Sequence, residues 1–109
     1  MSRPFYITTT LPYVNAEPHI GFAFQLVIAD IIARHKQLTG HEVFFNTGTD
    51  EYGLKIYRAA IEEGKEPQAY VDEYAAKFRA LKDILGLSDT IHFIRTTDER
   101  HKKAAQELW

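Results

Sequence analysis

The sequence of 109 residues contains no cysteine. Disulfide bonds and every zinc or iron–sulfur site with cysteine ligands are therefore excluded. Because the chain has no need of an oxidising compartment, the cytoplasm is the expected location. Long hydrophobic runs are also lacking, since the longest apolar stretch, residues 22–33, is interrupted by Gln25 and Asp30. This stretch is far shorter than the ~20 apolar residues of a membrane span, so we expect no membrane partner.

An excess of positive charge is missing as well. Thirteen Lys and Arg residues stand against fifteen Asp and Glu residues, which gives a formal net charge of −2. No overall basic field attracts a nucleic-acid backbone, so any RNA contact has to come from local geometry. The hydrophobic content of 45% is sufficient for a core. At less than the ~150 residues of an average domain, the chain is expected to be one compact unit or part of a larger one.

Hydrophobic periodicity predicts an alternating order of strands and helices. Thr96 and Glu99 have the spacing of a capping box, which predicts that the last helix begins near Thr97. The order predicts an α/β fold, a Rossmann-like parallel sheet with flanking helices, in which residues 1–109 form the amino-terminal part of one domain. We expect strands at 5–10, 42–47 and 91–94, and helices at 19–38, 55–63, 67–85 and 97–109.

Two loops are the expected place for a ligand. In parallel sheets, ligands bind at the carboxyl ends of the strands, where helix amino termini present N–H groups to anions. The loops in question are residues 8–21 and 46–55. The first contains neither GxGxxG nor GxxxxGK[ST], which excludes the usual dinucleotide fingerprint and the Walker phosphate loop.

The first loop contains Pro-His-Ile-Gly at 18–21 instead. At the amino end of a helix, the positive end of the dipole favours a neutral His19 ring that donates an N–H to phosphate oxygens. Gly21 has no Cβ and would allow a flat ring to lie against the backbone. The alternative is that His19 only caps the helix and that Gly21 is a packing residue.

The second loop places Asp50 directly after the second strand, between two glycines. A carboxylate at this position can bind an ammonium group or a ribose hydroxyl. The alternative is a solvated turn, in which Asp is a preferred residue. The other histidines do not have metal-ligand spacing with a carboxylate, so we expect no metal site in this chain.

Both loops resemble one family. The segments Leu-Pro-Tyr-Val-Asn-Ala-Glu-Pro-His-Ile-Gly (11–21) and Asn-Thr-Gly-Thr-Asp-Glu-Tyr-Gly-Leu-Lys-Ile (46–56) are similar to the amino-terminal signature of methionyl-tRNA synthetases, which are class I aminoacyl-tRNA synthetases. The resemblance continues through Phe-Ile-Arg-Thr-Thr-Asp-Glu-Arg-His (93–101) and so covers nearly the whole chain.

The resemblance implies an enzyme that activates methionine with ATP and its Mg²⁺ to methionyl-adenylate and then charges tRNA(Met). His19 would be the catalytic residue that contacts the ATP phosphates, and Asp50 would bind the methionine ammonium group. Further contacts to ATP would come from Pro12, Gly21 and Phe22, and further contacts to methionine from Leu11 and Tyr13. tRNA would be bound by parts of the enzyme outside these residues.

Two positions depart from the family pattern. Phe22 replaces the second histidine of the His-x-Gly-His element, and Tyr52 replaces the histidine of Asp-Glu-His-Gly. Loss of a histidine at 22 removes one polar partner of the nucleotide, whereas tyrosine at 52 keeps an aromatic ring with a polar tip. We lean towards a nucleotide pocket that has been rebuilt around the Phe22 ring.

Other expected parts of such an enzyme are absent from the sequence. It has no Lys-Met-Ser-Lys-Ser loop, no cysteine zinc knob and no helical anticodon-binding domain. The 109-residue segment alone is therefore expected to have at most marginal activity and to associate through an open sheet edge. Two alternatives remain open, a small nucleotidylyltransferase of the same superfamily and a catalytically dead nucleotide- or RNA-binding module.

Overall fold

A computed structural model describes residues 2–109 as a three-stranded parallel sheet with helices packed on it. The strands lie in the order β1-β2-β3, and both neighbouring pairs are parallel. The α/β class that the sequence predicts is thus confirmed. The elements are β1 (Arg3–Thr8), α1 (Ile20–Leu38), β2 (His41–Thr49), α2 (Leu54–Glu62), α3 (Pro67–Ile84), β3 (Ile91–Arg95) and α4 (Glu99–Leu108).

One face of the sheet packs against α1. Alternate residues of the strands point towards this helix, and Phe45 at the centre of β2 is 1% exposed against Ala29 and Ala33. The small alanines allow the helix to approach the sheet closely. On the opposite face, the exposed rings of Tyr6 and Phe44 pack together across β1 and β2, with ring centroids 5.5 Å apart.

A second cluster forms where α2 and α3 meet the first loop. Tyr70 and Phe78 of α3 pack there against Ile56 of α2. Val14, in the middle of the loop between β1 and α1, is fully buried in the same cluster. The loop is therefore anchored by its own apolar side chain, so its backbone course follows from the packing of α2 and α3.

Close approach of two strands explains the length of β2. The sequence predicts that this strand ends at Thr47, but it continues to Thr49. A Cβ on Gly48 would lie 1.8 Å from the carbonyl oxygen of Ile94 in β3, so only glycine fits at this position. Gly48 thus belongs to the strand, and the second loop begins at Asp50.

The prediction for the start of the last helix is wrong. Helix α4 begins at Glu99 with Asp98 as its N-cap, and not near Thr97. Thr96 does not cap the helix, because its hydroxyl oxygen accepts a hydrogen bond from the backbone N–H of Glu51, at 2.8 Å. A tertiary contact thus replaces the local capping box.

A buried carboxylate connects α1 to the turn before β3. Asp30 is 5% exposed, accepts the backbone N–H of Ser88 at 3.0 Å and pairs with Arg34 at 2.8 Å. Burial alone would raise the pKa of Asp30, but the hydrogen bonds from Arg34 and Ser88 outweigh it and hold the pKa below its ordinary value. The ionised side chain therefore stabilises the contact between α1 and this turn.

We expect Asp30→Ala to lower the local free energy of opening around Ser88 by ~1.5–3 kcal/mol, as for hydrogen bonds to a charged group. Because folding lowers the pKa, the stabilisation is present above the unfolded-state pKa of ~4 and is lost as the pH falls through the folded-state value. Amide hydrogen exchange at Ser88 measures both effects. Asp89→Ala is a matched control, because the Asp89 side chain is 99% exposed and its pair with Lys82, at 3.3 Å, is a surface salt bridge worth ~0–1 kcal/mol. Unaltered protection of Ser88 in Asp30→Ala would contradict the expectation.

Among residues 2–109, no helix combines the length and apolar content that crossing a membrane requires.

Candidate active site

The two loops that the sequence singles out meet at the carboxyl ends of β1 and β2. The backbone N–H of Asp50 donates to the carbonyl oxygen of Pro12 at 2.9 Å, and Tyr13 forms an isolated parallel bridge with Asp50. The hydroxyls of Thr9 and Thr47, 2.6 Å apart, form a second connection between the ends of the same two strands. Residues 38 positions apart in the sequence are thereby held in one place.

Asp50 lies at the centre of this meeting point. Its side chain is half-buried, and Oδ1 accepts a hydrogen bond from the backbone N–H of Tyr52 at 3.4 Å. Two residues that contact Asp50, Tyr13 and Tyr52, line a pocket of about 230 Å³ together with the first residues of α2. Leu11 is half-buried in the same loop, just before Pro12. The structure thus brings Pro12, Tyr13 and Asp50 together.

His19 is the N-cap of α1, and its ring is exposed. Its Nδ1 accepts a hydrogen bond from the backbone N–H of Gly21 at 2.9 Å. In the neutral ring the proton therefore lies on Nε2, which is left as a donor towards solvent. His19 thus caps α1. Capping uses one ring nitrogen and anion binding would use the other, so the phosphate role of His19 stays a prediction.

Gly21 makes room for this cap. A Cβ at this position would lie 3.0 Å from Nδ1 of His19, which is tighter than ordinary van der Waals contact. Gly21 also borders an open groove of about 430 Å³ between β1 and α1, together with Thr8 and Phe24. A flat group could lie in this groove against the exposed backbone of Gly21.

Phe22 points in a different direction from the His19 ring. It is half-buried and packs edge-on against Phe78 of α3, with ring centroids 5.5 Å apart. The cluster around it includes Phe93 of β3. Leu26, one turn further along α1, is buried and lines the same small cavity as Phe22, whereas Phe24 is 66% exposed.

Sequence reasoning missed the buried ion pair next to Asp50 in the loop. Glu51 is 4% exposed, and its carboxylate is paired with Arg95 at the end of β3. Thr97 donates its hydroxyl hydrogen to Oε1 of Glu51 at 3.0 Å. The available signal was the third matching segment, 93–101, which contains both partners.

Arg95 pairs with two carboxylates, those of Glu51 and Asp72. The Glu51 carboxylate, and to a lesser degree that of Asp72, raise the pKa of the Arg95 guanidinium above its ordinary value despite partial burial. Hydrogen bonds from Arg95 and Gln68 lower the pKa of Asp72 in turn. In the part of the chain that the structure describes, no group of three or more His, Cys, Asp or Glu side chains could hold a metal ion.

A parallel sheet with polar loops at its strand ends and a histidine N-cap on the first helix is the arrangement of a Rossmann-like α/β domain. Residues 5–109 match the family of class I tRNA synthetases (M). The chain therefore belongs to the methionyl type of class I tRNA synthetases.

Relatives of known function agree with this assignment. A methionine–tRNA ligase of Thermotoga maritima is 54% identical over 104 residues, which is 95% of this chain and 16% of the relative. A methionine–tRNA ligase of Rickettsia bellii is 49% identical over 109 residues, 100% of this chain and 21% of the relative. The chain thus spans about a fifth of the length of these curated relatives.

A solved structure has the same fold. Methionyl-tRNA synthetase of Mycobacterium tuberculosis, in complex with methionyl-adenylate, superposes with a TM-score of 0.93 at 42% identity. The match covers 98% of this chain and 21% of that protein. It confirms that the three strands and their helices form part of a class I synthetase domain.

Proposed function

We propose that this chain forms part of the catalytic region of a methionine–tRNA ligase, which uses ATP to convert methionine to methionyl-adenylate and then charges tRNA(Met). The observation that carries the proposal is the junction at Asp50. One carboxylate is held between the Pro12–Tyr13 loop and the end of β2, beside a pocket lined by Tyr13 and Tyr52. The match to a structure in complex with methionyl-adenylate supports the same interpretation.

In this proposal, Asp50 pairs with the methionine ammonium group, and Leu11 and Tyr13 contact the amino acid. The Nε2–H of His19 donates to a phosphate oxygen of ATP, which approaches with its Mg²⁺, and its role is to stabilise charge rather than to form a covalent bond. Pro12, Gly21 and the groove along α1 receive the nucleotide. Because neither reactant is held covalently, the rate depends on how accurately these groups are placed. A cytoplasmic location remains a prediction.

The test is methionine-dependent exchange of pyrophosphate into ATP, measured on the full gene product that carries this segment. We expect exchange with methionine and none with leucine or isoleucine. A catalytically dead binding module would bind nucleotide without exchange, and a nucleotidylyltransferase of another specificity would show no dependence on methionine. Either result would refute the proposal.

Phe22 provides a separate prediction. Because its ring packs on Phe78, a histidine there would face an apolar cluster and would have no partner for its N–H. We expect Phe22→His to leave kcat/KM for ATP unchanged or lower, and to reduce stability by ~1–3 kcal/mol through the unsatisfied donor. Exchange kinetics and thermal unfolding of the full gene product measure the two effects.

Phe24→His, two positions further along the same helix, is a control for stability only, because Phe24 also borders the groove proposed for the nucleotide. Phe24 is 66% exposed, so the change should cost little stability. A gain of ~10-fold or more in kcat/KM for ATP with Phe22→His, worth ~1.4 kcal/mol, would show that position 22 can supply a donor to the nucleotide and that the pocket has not been rebuilt.

A further inference from the structure

Glu51, the residue after Asp50, lies in a loop, yet its carboxylate is buried and accepts several hydrogen bonds. The side chain of Glu51 is 0% exposed. Its Oε2 accepts the hydroxyl hydrogen of Thr49 at 2.8 Å, and its Oε1 accepts that of Thr97 at 3.0 Å. A buried carboxylate is costly unless it is paired and hydrogen-bonded, so its position is strongly determined by these partners.

The charge partner comes from the end of β3. Arg95 donates from Nε to Oε2 of Glu51 at 2.8 Å and from Nη2 to Oε1 at 2.5 Å, a bidentate geometry that fixes both groups. Nη2 also reaches Asp72 of α3 at 2.6 Å. The Asp72 side chain is 53% exposed, so this second contact is on the solvent side of the guanidinium.

The peptide groups on both sides of Asp50 are fixed by different elements. Its own N–H donates to Pro12 of the first loop, whereas the next N–H, of Glu51, donates to the hydroxyl of Thr96 at 2.8 Å. Thr96 is itself held, since its N–H donates to the carbonyl oxygen of Thr49 at 3.2 Å. The direction of the Asp50 side chain is thus set jointly by the first loop and by the end of β3.

We propose that Arg95 is a positioning residue for the amino-acid site: through Glu51 it orients the Asp50 carboxylate towards the ammonium group of the substrate. The inference rests on the proposed function, since it takes the role of Asp50 from there. Arg95 acts on methionine through Asp50. His19 and the groove for ATP lie instead along α1 and its amino end. Loss of Arg95 should therefore affect the binding of methionine far more than that of ATP.

The test is steady-state exchange kinetics of the full gene product with Arg95→Gln. We expect the KM for methionine to rise by ~10-fold or more, since removing one partner of a buried ion pair leaves an uncompensated charge. The KM for ATP should stay within ~2-fold of the wild-type value, because additivity holds for sites without shared partners. Asp72→Asn is the matched control: it removes only the exposed partner of Arg95 and should leave both KM values within ~2-fold.

Two further variants separate positioning from simple loss of structure. In Glu51→Gln/Arg95→Gln neither charge of the ion pair is left unpaired. The KM for methionine of the double variant should therefore be at least ~3-fold lower than that of Arg95→Gln. Thr97→Val keeps the ion pair and removes one donor, and should raise the methionine KM by ~3-fold with ATP unchanged. If Arg95→Gln does not fold, Thr97→Val decides the matter, because its expected result is measured against the wild-type protein.

Several outcomes would overturn the inference. An equal rise in both KM values would show a structural role, and unchanged methionine KM in both Arg95→Gln and Thr97→Val would show no role. A double variant no better than Arg95→Gln would show that the unpaired charge is not the cause. In all these cases the wild-type protein still activates methionine, so the proposed function survives. A wild-type protein without methionine-dependent exchange would remove the proposed function and this inference together.

Discussion

Replacing Asp50 with alanine in the full gene product is expected to raise the KM for methionine by ~30-fold or more, because a partly buried charge that loses its partner costs ~2–5 kcal/mol. The KM for ATP should change by less than ~3-fold, since Tyr13 and Tyr52, which contact Asp50, line a different pocket from the groove along α1. Methionine and ATP titrations of the exchange reaction measure the two constants.

Asp50→Asn distinguishes charge from loop structure. Asparagine keeps the Oδ1 acceptor for the backbone N–H of Tyr52 and loses the negative charge. If the charge binds the ammonium group, the asparagine variant should be as impaired for methionine as the alanine variant. A near-normal asparagine variant, or equal loss for both substrates in either variant, would mean that Asp50 supports the loop only.

His19→Asn should lower kcat/KM for ATP by ~10²-fold, comparable to removing one donor that stabilises developing charge. Asparagine is a good N-cap residue, so α1 keeps its cap while the Nε2–H donor is lost. The methionine KM should stay close to the wild-type value, because His19 lies at the amino end of α1 and not beside Asp50.

The matched comparison is His19→Ala, which removes the cap and the donor together. It should lose the same activity as His19→Asn and in addition ~0.5–2 kcal/mol of helix stability. Thermal unfolding separates the two variants. Full activity in His19→Asn combined with a loss in His19→Ala would show that the ring serves only as the cap of α1.

The sequence allowed most of the fold to be predicted because the signals were local. Apolar residues three and four apart in α1 and α3, and the glycines that follow the first three helices, needed no tertiary information. The junction at Asp50 was also predictable, because parallel strands place their carboxyl ends at one edge of the sheet. The candidate roles of His19 and Asp50 in substrate binding remain predictions.

The parts that could not be predicted depend on contacts distant in the sequence. Thr96 has ideal capping-box spacing with Glu99, yet its hydroxyl binds the backbone of Glu51. Gly48 resembles a turn residue until the approach of Ile94 is known. The burial of Glu51 is likewise invisible without Arg95, which is 44 positions away. Local propensity gave the wrong interpretation wherever a polar group found a better partner on another strand.

The separation of 44 positions between Glu51 and Arg95 also has a temporal consequence. At ~5–20 residues per second, the ribosome needs roughly 2–9 s to add the segment that separates the two residues. During this interval β1, α1 and β2 can already fold against each other, while the Glu51 carboxylate has no cation and stays hydrated. Parallel strands pair late because their connections are long. The loop that carries Asp50 therefore reaches its binding geometry only after β3 has been added.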